Sequence, residues 1–80
     1  MTIRNREFRA RMEREGLGKV QLQKGDGYFY IWSDDDATSE RISMLEETGI
    51  FCSKFTDQSP EKWVHDISDL FSRLWQTYTN

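Results

Sequence analysis

With one cysteine, one histidine and one proline among 80 residues, the chain lacks the parts for several kinds of chemistry. Cys52 has no second cysteine in the chain to pair with, and His65 alone cannot supply the Cys/His set of a structural zinc site. No apolar run approaches the roughly 18 to 20 residues of a membrane span. The N-terminal segment is polar and arginine-rich, without the apolar stretch of a secretory signal, so a reducing cytoplasm is the expected compartment. No repeat, low-complexity stretch or linker divides the sequence, which predicts a single domain over residues 1–80. A domain this short buries only about 60% of the surface its unfolded chain exposes. Its eleven aromatic residues (five Phe, three Trp, three Tyr) therefore have to supply much of a thin core.

The net charge of −3 conceals a division. Residues 1–19 hold six basic side chains against three acidic ones, a net of +3, whereas residues 20–80 hold five against eleven, a net of −6. The chain reads as a basic N-terminal helix (2–15) on an acidic α+β body (18–78). Such asymmetry suits a nucleic-acid contact, a contact between copies of the chain, or an arm folded onto its own body.

Thr2 to Glu15 contains good helix formers, with Thr2 as a possible cap and Gly16 as a stop. Only Met1, Phe8 and Met12 line up, predicting a narrow docking stripe with the arginines in water and a frayed first turn. From Gly18 to Gln23 the residues alternate, Val20 and Leu22 against Lys19, Gln21 and Gln23, as in a strand with one wet side. Lys24-Gly25-Asp26-Gly27 has the residues of a tight hairpin turn. Tyr28 to Trp32 then reads as a central strand, apolar on both faces: Tyr28, Tyr30 and Trp32 on one, Phe29 and Ile31 on the other. After Ser33-Asp34-Asp35-Asp36, a helix capped by Thr38 or Ser39 is expected through Glu47, with Ile42 and Leu45 facing inward. Ile50 to Phe55 is the third strand candidate.

The last segment, Ser59 to Asn80, is the most amphipathic. Ser59 is placed to cap it, Pro60 to occupy its first position and Glu61 to complement the dipole. Trp63, Val64, Ile67, Leu70, Phe71, Leu74, Trp75 and Tyr78 fall within roughly 140° of the helical wheel. The predicted fold is α+β, in the order α-β-β-(α)-β-α: a three-stranded antiparallel sheet with the long C-terminal helix packed on one face. That helix is expected to be the only element able to cover the sheet, and Val64 and Trp75, at the edge of its apolar sector, are its only residues left to test for a partner.

Catalytic chemistry finds little support. Asp34-Asp35-Asp36 with Glu40 invites a cation, but the loop lacks the glycine of an EF-hand at its sixth position and has Leu45 at its twelfth; a solvated turn leading into a helix is the favoured reading. His65 falls on the polar face of the last helix and Cys52 in a strand, so no nucleophile and base are paired. No enzyme activity, cofactor or metal is expected. The helical arginines Arg4, Arg6, Arg9, Arg11 and Arg14 are the candidates for nucleic-acid contact, although they form no single stripe. The α-β-β-β-α order resembles the double-stranded-RNA-binding domain. That family's lysine cluster at the start of the last helix is replaced here by Ser59-Pro60-Glu61-Lys62-Trp63, with one base. Tyr28, Tyr30 and Trp32 could stack bases, but cover by the core or the first helix is the favoured expectation; exposed together, they would mark a protein partner.

Gly25-Asp26-Gly27-Tyr28-Phe29-Tyr30-Ile31-Trp32-Ser33-Asp34-Asp35, followed by Phe55, Asp57, Ser59, Glu61 and Trp63, resembles a pattern in small uncharacterised bacteriophage and prophage proteins. There an aromatic strand with trailing acids precedes a second strand and a helix with an early tryptophan. The resemblance spans roughly residues 25–70 and implies a phage-borne protein in a bacterial cytoplasm, with no catalytic residues. The expected function is a non-enzymatic accessory role through binding of a host or phage protein, with Tyr28, Tyr30, Trp32, Asp34, Asp35 and Asp36 as candidate contacts. The alternatives are nucleic-acid binding through the first helix and a homodimeric module joined through that helix or an exposed aromatic face. No membrane contact is expected.

Overall fold

A computed structural model describes the backbone of residues 2–79 and the side chains of residues 2–72. The order is α1 (Arg6–Arg14), β1 (Gln21–Lys24), β2 (Phe29–Trp32), α2 (Asp36–Ser43), β3 (Gly49–Ile50), a 3-10 turn (Phe55–Asp57) and α3 (Pro60–Thr79). The three strands form an antiparallel sheet in the order β1-β2-β3, so the α+β architecture and the central place of the aromatic strand are as the sequence predicts.

Several boundaries differ from expectation, each for a local reason. The first strand starts at Gln21 rather than Gly18, because Gly18 and Lys19 lie in a turn and the Arg9 guanidinium takes up Gly18 O and Val20 O. Thr2 does not cap α1: it bridges Gln23 at the edge of the sheet, and Ile3 N–H donates to Leu22 O at 2.8 Å. The cap is Asn5, whose Oδ1 accepts from Phe8 N–H at 3.0 Å. The helix before β3 starts earlier than Thr38, because Asp35 accepts from Thr38 N–H at 3.1 Å, and it stops at Ser43. The third strand is two residues long: the chain leaves the ladder after Ile50, Phe51 is 92% exposed, and Phe55 enters a turn closed by Lys54 N–H on the Asp57 carboxylate.

The stop after α1 is a full Schellman closure. Gly16 adopts φ +75°, Gly16 N–H donates to Glu13 O and Leu17 N–H to Met12 O, while the Met12 and Leu17 side chains are buried. Ser59 caps α3 through Lys62 N–H at 3.1 Å. Trp63, Val64, Ile67, Leu70 and Phe71 are buried; Met1, Leu74, Trp75 and Tyr78 lie outside the residues whose side chains are described.

The core collects Phe8 and Met12 of α1, Leu17 and Val20 of the α1–β1 loop, Leu22, Phe29 and Ile31 of the sheet, Ile42 of α2, and the buried face of α3. α3 packs mainly against α1, so the basic helix is docked and Phe8 and Met12 share the cover of the sheet that the sequence assigned to α3 alone. At the centre is Trp63. Its ring meets Phe29 edge-on at 4.8 Å and stacks on Phe55 at 5.5 Å, and its Nε1–H donates to Phe55 O at 2.7 Å. Phe55 in turn meets Phe8 at 5.6 Å, tying the 3-10 turn to α1.

Candidate interaction face

All of the buried strand side chains lie on one face of the sheet, so among the described residues the other face is open. Its composition follows from the register. Gln23 pairs with Tyr30, which pairs with Gly49, and Gln21 pairs with Trp32. Thr2 joins the same face, its Oγ1 lying 2.7 Å from Gln23 Oε1. Side chains directly opposite in a ladder share a face, so the open face is a polar flank of Thr2, Gln21 and Gln23 beside an aromatic stripe of Tyr28, Tyr30 and Trp32.

The stripe is not core, contrary to the favoured expectation: Tyr28 is 39% and Trp32 36% exposed, with Tyr30 half-buried. Two glycines shape it. A Cβ on Gly25 would stand 2.6 Å from the Tyr28 ring, so the absence of a side chain there lets the ring lie over the hairpin; at Gly49 the central row simply ends. The Tyr28 and Tyr30 rings are 5.9 Å apart. Phe51, one residue past the end of β3, is also exposed but stands outside the ladder. Sequence reasoning missed its exposure by assigning it to a strand interior.

The three aspartates divide. Asp35 acts structurally: its carboxylate accepts from Thr38 N–H and Thr38 Oγ1 and lies 3.1 Å from Lys19 Nζ. The Thr38 side-chain and backbone hydrogen bonds, followed by Lys19, lower its pKa below the ordinary aspartate value. Ser33 fastens the same turn to the α1–β1 loop by donating to Lys19 O at 2.6 Å. Asp34 and Asp36 are exposed, and Asp34 lines a shallow recess with Arg4, Gln21 and Trp32 at the end of the stripe.

The five arginines are dispersed. Arg9 is half-buried, and its guanidinium donates to Val20 O at 2.7 Å and Gly18 O at 2.5 Å, holding the α1–β1 loop. Arg11 places Nε 3.9 Å from Glu7, and that nitrogen is buried without a hydrogen-bond partner among the described residues. Arg11 and Arg14 border a groove of about 260 Å³ whose other walls include Glu15, Glu61, Val64 and His65. Arg4 belongs to the Trp32 recess, and Arg6 is exposed in the first turn of α1. They share no common phosphate-tracking surface.

The His65 side chain is 80% exposed, with its ring 3.9 Å from Asp66, while the Cys52 thiol donates to Lys54 O at 3.2 Å; neither contact assembles a nucleophile with its base. Among the described residues, no cluster of three or more His, Cys, Asp or Glu could hold a metal ion, and no helix is long and apolar enough to cross a membrane. Comparison with protein-family models, with curated proteins and with solved structures finds no match in any of the three.

Proposed function

We propose that the chain is a non-enzymatic accessory protein, of phage or prophage origin, that binds a host or phage protein in the bacterial cytoplasm through the open face of its sheet. The observation that carries this reading is the half-exposed stripe Tyr28, Tyr30 and Trp32, on a domain whose other large apolar side chains among the described residues, Met44 and Phe51 apart, are mostly committed to the core. Aromatic side chains in an exposed patch are the usual anchors of protein recognition.

Charge favours a basic partner surface. The body from residue 20 onward carries −6, and Asp34 and Asp36 stand exposed after the stripe. An acidic face of this kind can occupy the basic site of a nucleic-acid-binding protein, which is one way an accessory protein of this size could act. Direct nucleic-acid binding is the weaker reading: of the two arginines, Arg4 and Arg9, that line the recess beside Trp32, Arg9 commits its guanidinium to the α1–β1 loop, and Asp34 shares the recess.

Capture from bacterial lysate at physiological salt tests the reading. A stoichiometric protein partner whose retention weakens at high salt is expected. Recovery of no such partner, or of nucleic acid alone, contradicts it.

A further inference from the structure

We propose that the groove between α1 and α3 is a binding site for a small zwitterion with the chemistry of a free amino acid, a carboxylate and an ammonium group beside an apolar side chain. The groove belongs to the helical layer, across the sheet from the aromatic stripe, and so stands apart from the protein-binding face. It holds about 260 Å³, below the roughly 300 Å³ at which sites for drug-sized molecules begin, which limits the occupant to a few heavy atoms. Helical spacing builds its walls. Arg11, Arg14 and Glu15 stand three and four residues apart along α1 and its cap, and Glu61 is followed at three, four and seven residues by Val64, His65 and Ser68 on α3. Burial separates floor from rim: Val64 is buried, Arg11 and Ser68 are half-buried, and the other four are exposed.

Arg11 points to the carboxylate. Its side chain is 34% exposed, its Nε is buried without a hydrogen-bond partner, and its ion pair with Glu7 spans 3.9 Å. A cation that has lost part of its water is ordinarily met at closer range than this. Among the described residues no hydrogen bond takes up its terminal nitrogens, which leaves them to hold a carboxylate in the groove, with Arg14 one turn on as the second cation. The Ser68 hydroxyl, also without a hydrogen bond among the described residues, lines the groove from α3. Charge then selects a zwitterion over a plain anion. The two guanidinium groups share the groove with two carboxylates, Glu15 and Glu61, and neither carboxylate nor Arg14 has an ion pair among the described residues. With His65 neutral the lining sums to zero, so a simple anion gains little net attraction and a phosphate dianion is opposed by both carboxylates. A ligand bearing both signs answers both: its carboxylate on Arg11 and Arg14, its ammonium on Glu61 and Glu15, its apolar side chain on Val64.

Titration of the full chain with free valine, followed through its amide chemical shifts, tests this, with acetate, methylammonium and inorganic phosphate as probes of one charge alone. Saturable shifts at Arg11, Arg14, Val64, His65 and Ser68 are expected, with a dissociation constant on the order of 1 mM, the scale of a few contacts in an open groove. The single-charge probes should bind about tenfold more weakly or worse, the discrimination that loss of one charged contact brings. Arg11→Gln should weaken valine by about tenfold or more on the same grounds. Glu61→Gln, at an exposed position that leaves the fold intact, should weaken valine and strengthen acetate, opposite changes that a merely structural role does not produce. Absence of saturable shifts at these residues up to about 20 mM valine, well above the expected constant, overturns the inference. So does acetate or inorganic phosphate binding as tightly as valine, or a Glu61→Gln variant that binds valine as the parent does. None of these variants touches the Tyr28–Trp32 stripe, so loss of valine binding and loss of a captured protein partner are separate outcomes.

Discussion

Trp63 donates its indole N–H to the carbonyl of Phe55 at 2.7 Å while stacking on the Phe55 ring, so one side chain of α3 holds the 3-10 turn in both geometry and polarity. The same ring meets Phe29 on the central strand, and Phe55 meets Phe8 on α1. Sheet, turn and both long helices therefore converge on this residue.

Trp63→Ala is accordingly expected to be among the most damaging single substitutions, costing about 3 to 5 kcal/mol. Leu70→Ala, nearer the end of the described core, should cost about 2 to 5 kcal/mol. Urea denaturation of both variants checks the order; a Trp63→Ala variant as stable as the parent would remove Trp63 from the centre of the fold.

Arg9→Gln should destabilise the domain by about 1 to 3 kcal/mol, because it removes charge-assisted hydrogen bonds to Val20 O and Gly18 O. Arg6→Gln, at an exposed position, should remain within about 0.5 kcal/mol of the parent. Equal effects in chemical denaturation would mean that the arginines of α1 act only as a charge pool.

The N-terminal half of the fold was largely legible in the sequence. Alternation separated Val20 and Leu22 from their polar neighbours, and it divided the run from Tyr28 to Trp32 into the buried Phe29 and Ile31 and the stripe of Tyr28, Tyr30 and Trp32. What alternation could not supply was which face of an all-apolar strand is covered, because that depends on where α1 and α3 dock. The same limit applies to Phe51. An alternating run from Ile50 to Phe55 fits a strand, yet the Lys54·Asp57 closure and the pull of Phe55 onto Trp63 end the ladder at Ile50. The caps were misplaced for a related reason: Asn5 and Asp35 are as good caps as Thr2 and Thr38, and tertiary pairing of Thr2 with Gln23 decided the first case.

Asp35 gives a pH dependence with a definite sign. Its pKa is lower folded than unfolded, so its contribution is present above the unfolded value of about 3.9 and fades as pH falls from there through the folded value. Asp35→Ala, which removes the cap, should lower stability at neutral pH, and the gap from the parent should narrow in acid. Thermal unfolding of both proteins between neutral pH and about pH 3, just below the unfolded aspartate value, checks this. A constant gap would show that the carboxylate's charge plays no part in capping α2.

Tyr28 and Trp32 are held on the open face without being needed by the core, so their value should appear in binding rather than in stability. The most direct test is to compare the parent with the Tyr28→Ser/Trp32→Ser double variant, measuring thermal midpoint and retention of a captured partner in parallel. A midpoint close to the parent's, together with loss of the partner, is the predicted result. A variant that keeps its partner, or one that unfolds while a core substitution such as Ile31→Ala is tolerated, would contradict the claim that this face exists for recognition.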